Sequence, residues 1–202
     1  MENRTLEFGT NSYEILDSNS DTKRFKTLEV NEEVSNFLDQ KISESFKTTL
    51  SRYKKCDDSV LGSVKILDPE DSDLAGRSSG QLVIDGNKFL MPKIVEDYLN
   101  SINLKVYDNH RHGPVFHYPP NGGYMGWHTN CKQSRASYRA FFSKGSGYFQ
   151  YIEDGKVYRV QDSSVWKCNV FYIGDCSDPT WHSIWGGDEG RYSVGYMVEP
   201  IE

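Results

Sequence analysis

The sequence predicts a mainly β protein, a sandwich or jelly roll with helices buttressing one face. Three observations predict it. After Leu104, short segments rich in Tyr, Phe, Val and Trp follow one another between turn residues, from VYDN and PVFHY to RYSVGYMV. Many short strands at close spacing make a sandwich or jelly roll. Before Leu104, Val34, Phe37, Leu38, Ile42, Phe46, Leu50 and Tyr53 recur at steps of three and four, the period of a helix with one apolar stripe. No repeat, low-complexity tract or long linker divides the chain, so residues 1–202 read as a single domain. Within it, 1–104 is a helical and irregular support region and 105–202 is the β core.

Taken in order, the apolar stripe predicts a helix over Asn31 to Lys55, and a shorter helix runs from Pro92 to about Asn100, with Ile94, Val95, Tyr98 and Leu99 on its buried side. The stretch between them, CDDSVLGSVKILDPEDSDLAGRSSG, reads as irregular connections with at most one edge strand. Farther on, EDGKV separates two strand segments as a tight hairpin, with Asp154 and Gly155 as the residues that tolerate positive φ.

Charge and cysteine usage bound the function. The chain has 23 Lys+Arg against 29 Asp+Glu, net −6, with its positive charges scattered, which speaks against a duplex nucleic acid partner. A small-molecule or peptide substrate fits better. Cys56, Cys131, Cys168 and Cys176 lack CxxC spacing and read as free thiols of a reducing compartment. The polar start MENRTLEFGT has no apolar signal core, and no run of about 18 apolar residues follows, so a soluble, cytoplasmic protein without a membrane partner is expected.

Three strands carry candidate chemistry. In YPPNGGYMGWHTN, alternation puts Gly126, His128 and Asn130 on one face and Met125 and Trp127 on the other. A second histidine, His182, stands in DPTWHSIW. In RYSVGYMV, Arg191 and Ser193 share a face; a guanidinium fork with a hydroxyl beside it is a carboxylate clamp.

In this order, a Tyr-Pro-Gly loop leading to HxN, an aromatic-flanked His, then RxS, the pattern resembles the Fe(II)/2-oxoglutarate-dependent dioxygenase superfamily over about the last hundred residues. The resemblance implies a double-stranded β-helix, cupin-like, that uses Fe(II) and 2-oxoglutarate. It implies that His128 and His182 bind iron, that Arg191 and Ser193 hold the cosubstrate's distal carboxylate, and that Tyr118 contacts the cosubstrate. No catalytic residue beyond the metal ligands is implied. Asn130 stands where the family has a carboxylate ligand. An amide still donates through its carbonyl oxygen, but it is neutral and a poorer ligand for a dication, so metal affinity should fall.

Other residues read more plainly. His110, His112 and His117 are loop and strand residues; Trp127, Trp181 and Trp185 are core packing that also borders the site; Asp175 and Asp178 flank a turn at Pro179. The competing function is a binding or structural protein that kept the fold and lost turnover, with Asn130 as its argument.

Overall fold

Alternation after Leu104 closes into two facing sheets. The computed structural model describes residues 5–8, 11–17, 21–49, 82–84, 90–107, 111, 115–120, 123–130, 138–175 and 177–201. The N-terminal elements are β1 (Thr5–Phe8), β2 (Asn11–Asp17), β3 (Phe25–Glu29), α1 (Glu32–Thr49), β4 (Leu82–Ile84), α2 (Lys93–Ser101) and β5 (Leu104–Val106). Eight strands follow: β6 (Val115–Tyr118), β7 (Tyr124–His128), β8 (Tyr138–Gly145), β9 (Tyr148–Glu153), β10 (Lys156–Gln161), β11 (Lys167–Tyr172), β12 (His182–Trp185) and β13 (Arg191–Pro200).

Those eight interleave as a double-stranded β-helix. One sheet contains β11-β8-β13-β6 in that order and the other β10-β9-β12-β7, so the chain crosses repeatedly between the sheets. Neighbours within each set of four are antiparallel. The β9–β10 hairpin turns at Asp154 and Gly155, with φ of 49° and 71°, as its two-residue loop requires.

Alternation sorts the side chains of β13. Arg191, Ser193, Gly195 and Met197 face the opposite sheet, where Met197 packs with Phe25, Phe141, Phe149, Tyr151 and Phe171. Val194, Tyr196 and Val198 face outward and pack with Val34, Leu38 and Ile42 of α1 and Val95, Tyr98 and Leu99 of α2. Each such buried side chain stabilises by about 1.5–3 kcal/mol. The helices buttress the outer face of the larger sheet, as their stripes require. Asn31 caps α1, its Oδ1 accepting from the Val34 amide at 2.9 Å, and Asp39 accepts from the indole of Trp166 at 2.9 Å.

The support region holds more strand than its sequence suggested. β3 pairs with β11, β2 runs parallel to β10, and β4 pairs with β6. These are outer strands, held by backbone bonds, and β3 buries only Phe25 fully, so their hydrophobic alternation is faint. The described helix ends at Thr49; the predicted continuation to Lys55 and the 56–80 connection lie outside the described residues. Among the described residues, no helix is long and apolar enough to cross a membrane.

Candidate metal and carboxylate site

His128 and His182 meet across the β7–β12 ladder as register partners, with ring centroids 4.1 Å apart. Each ring is fixed by a backbone carbonyl: His128 Nδ1 donates to Gly126 O at 2.8 Å and His182 Nδ1 to Thr180 O at 3.0 Å. That tautomer leaves both Nε2 atoms with lone pairs. Phe149 and Phe171 flank the His182 ring at 5.5 and 4.9 Å. Burial holds both imidazoles below their ordinary range, His128 at about 4, and the charge of Arg139 adds to the effect.

Asn130, just past β7, is buried and brings its Nδ2 to His182 Nε2 at 3.2 Å. The amide therefore donates into one of the two free lone pairs. Turning over, it would present Oδ1 instead.

Simple alternation does not deliver this arrangement. His182 pairs with His128, but Ile184 pairs with Met125, so Gly126 and Trp127 together oppose Ser183 in a β-bulge. Met125 thus lies on the face of His128 rather than on the opposite face with Trp127, as alternation alone predicts. Trp185 and Tyr124 pair on the outer face, their rings 6.3 Å apart.

Arg191 is fully buried at the start of β13, and its Nε donates to Asp162 Oδ2 at 2.7 Å. Among the described residues, its buried Nη1 and Nη2 find no hydrogen-bond partner. A guanidinium with one edge satisfied and two buried nitrogens unmet has the planar donor pair that a carboxylate would take. Its Cζ lies 5.3 Å from the ring centre of Tyr118 and 5.6 Å from that of Phe141. Tyr118 is buried, and desolvation pushes its phenol up to about 12 despite the nearby Arg191 and Arg139 charges, so it stays protonated. Ser193 is buried on the same face as Arg191, and nearby on that sheet Asn169 links Thr27 to Ser143 through bonds of 2.9 Å each.

Sequence reasoning missed Asp162, distant in sequence in a segment that reads as a turn, and Arg139, whose SYRAFF context reads as an ordinary strand. Of the remaining candidates, Asp175 caps its own turn, Oδ1 accepting from the amides of Ser177 and Asp178 at 2.7 and 3.0 Å, and Asp178 pairs with Arg24. His117 stacks on Tyr192 at 4.6 Å, and Trp127 is buried. His110, His112, Cys56, Cys131 and Cys176 lie outside the described residues; Cys168 is a buried free thiol. Among the described residues, no group of three or more His, Cys, Asp or Glu gathers around a point. The described side chains that could donate to a divalent ion here are the two imidazoles and the Asn130 amide.

No protein-family model matches the chain, and no curated protein does. Among solved structures, a 2OG-Fe(II) oxygenase family oxidoreductase from Burkholderia pseudomallei is similar over 45% of this chain, at 13% identity and a TM-score of 0.36, and the match spans 43% of that protein. A prolyl-4-hydroxylase from Pseudomonas putida is similar over 89% of this chain and 94% of its own, at 12% identity and a TM-score of 0.48. At these values nothing about this chain rests on either likeness. Its own strand order and side chains define its class: a double-stranded β-helix enclosing a paired-histidine and arginine site.

Proposed function

We propose that this chain is an oxygenase dependent on iron(II) and 2-oxoglutarate that hydroxylates a C–H bond of a small molecule or peptide. The observation that carries this reading is the pair of imidazoles with Nδ1 tied to carbonyls and the lone pair on Nε2, that of His182 met by the Asn130 amide, in the same barrel as the unmet Nη donors of Arg191. The residues fit both groups. His128 and His182 would hold the iron, with Asn130 as a neutral third donor through Oδ1, and Arg191 with Ser193 would hold the distal carboxylate of the 2-oxo acid. Bound iron(II) would supply the redox centre at which oxygen is reduced as the 2-oxo acid is decarboxylated to succinate.

The protein's own side chains orient and protect. Asp162 fixes Arg191 so that Nη1 and Nη2 face inward, and Tyr118 walls the guanidinium as a neutral phenol. Phe149 and Phe171 keep water from the inner side of His182. The test is succinate release from 2-oxoglutarate by purified protein with Fe(II) and ascorbate, alone and with candidate substrates, beside the protein's metal content. Stoichiometric Fe(II) and succinate formation abolished by His182→Ala are expected. Failure to bind either Fe(II) or 2-oxoglutarate overturns the reading.

The Asn130–His182 hydrogen bond favours a second reading, a binding protein without turnover. In that case 2-oxoglutarate binds and no succinate ever forms.

A further inference from the structure

Arg139 is a cation that the clamp does not explain. It stands on β8 opposite Phe171 on β11 and Met197 on β13, on the inward face it shares by alternation with Phe141 and Ser143. Its side chain lies along the sheet: Nε and Nη2 are each 2.8 Å from where a Cβ on Gly195 would be, so only glycine at 195 leaves the guanidinium this path. Its register partner Phe171 lies 4.9 Å from the His182 ring, which puts Arg139 on the side of the barrel that holds the imidazole pair, and its charge acts on Tyr118, His128 and His182. Among the described residues, no carboxylate pairs with it; the phenol of Tyr118 is the one group that favours its charged form, against the cost of burial.

Arg191 reaches the same region from the other end. Its Cζ stands over the rings of Tyr118 and Phe141, and Phe141 is the register partner of Gly195. Two guanidiniums therefore bracket one space walled by Tyr118 and Phe141. Asp162 offsets Arg191, while among the described residues Arg139 has no carboxylate partner.

We propose that Arg139 and Arg191 hold the two ends of one dicarboxylate, Arg191 the distal carboxylate and Arg139 the carboxylate nearest the imidazoles, so that the dianion binds without a divalent metal. This rests on the 2-oxo acid reading above and assigns a residue to its second carboxylate. It also gives Asn130 a reason. The two guanidiniums and Asp162 leave one net positive charge to meet a dianion. An aspartate at 130, beside His182 Nε2, would add negative charge against the ligand. A neutral amide adds none.

The experiment is calorimetric titration of the full chain in EDTA, and again with Mn(II). The ligands are 2-oxoglutarate, glutarate, which keeps both carboxylates without the oxo group, and 2-oxopentanoate, which lacks the distal carboxylate. In EDTA, 2-oxoglutarate and glutarate are expected to bind alike and 2-oxopentanoate at least about tenfold more weakly, the effect of losing a charge-assisted pair. Arg139→Gln is expected to weaken both dicarboxylates at least about tenfold and Arg139→Lys to recover part of the loss. Gly195→Ala, which displaces the guanidinium without removing it, and Asn130→Asp are expected to weaken metal-free binding in the same direction. Binding of 2-oxoglutarate only with Mn(II), or binding in EDTA that Arg139→Gln leaves unchanged, overturns the proposal and leaves the oxygenase reading standing. No binding of 2-oxoglutarate under either condition overturns both.

Discussion

The amide of Asn130 donates to Nε2 of His182 at 3.2 Å, so the ring nitrogen that a metal would use is already hydrogen-bonded. Metal binding must break that bond and turn the amide over. Asn130→Asp is expected to tighten Mn(II) binding about tenfold or more, because the third donor becomes an anion. Asn130→Ala is expected to weaken it and to cost about 1–3 kcal/mol in stability by leaving the buried Nε2 unsatisfied. Mn(II) titration by EPR and thermal melts measure the two effects.

Asp162 and Arg191 form a buried ion pair, 4% and 0% exposed. Removing either partner leaves an uncompensated charge, which costs about 3–5 kcal/mol. Asp162→Ala is therefore expected to lower the urea midpoint sharply. Arg191→Ala confounds lost binding with lost stability; the double variant Arg191→Met, Asp162→Leu separates them. It is expected to recover most of the folding stability and to bind no 2-oxoglutarate.

Both imidazoles of the site are neutral in the fold, with His128 held near 4, whereas an unfolded histidine titrates near 6.5. Between those values the unfolded chain binds protons that the folded chain does not. The stability contributed by this difference is complete above about pH 6.5 and is lost as pH falls toward 4. Melting temperatures of EDTA-treated protein are expected to drop progressively below pH 6.5. His128→Gln is expected to flatten the slope.

Tyr98 donates its hydroxyl to the backbone carbonyl of Glu29 at 2.6 Å, joining α2 to the end of β3. Tyr98→Phe keeps the ring packing and leaves a carbonyl without that donor, an expected loss of about 1 kcal/mol with ligand binding unchanged. Chemical denaturation beside a 2-oxoglutarate titration checks both parts.

The β core was legible because its strands repeat aromatic and β-branched residues between turns, and the two helices because their apolar stripes match the surface they cover. His128, His182, Arg191 and Ser193 were legible as motifs on strands. What escaped was whatever depended on strands meeting. Asp162 belongs to Arg191 only after the β10–β11 connection folds against β13, and Arg139 becomes part of the site only because Gly195 leaves room beside it. Strands β1 to β4 escaped because outer strands are held by backbone bonds that leave little trace in side-chain pattern.

The bulge in β7 makes the site depend on the phase of the backbone as well as on residue identity. Before it, Tyr124 belongs to the outer aromatic face with Trp185; after it, His128 belongs to the interior with His182. Straightened with all its residues present, the strand would alternate from Met125 to His128 and turn either the histidine or Met125 and Tyr124 to the wrong side, whereas removing one residue at Gly126 or Trp127 would restore regular pairing with every partner kept. The same letters can thus hold or lose the pairing of His128 with His182 according to where the backbone takes its extra step. That phase is a coordinate of the site in its own right, one that a comparison of motifs alone would pass over.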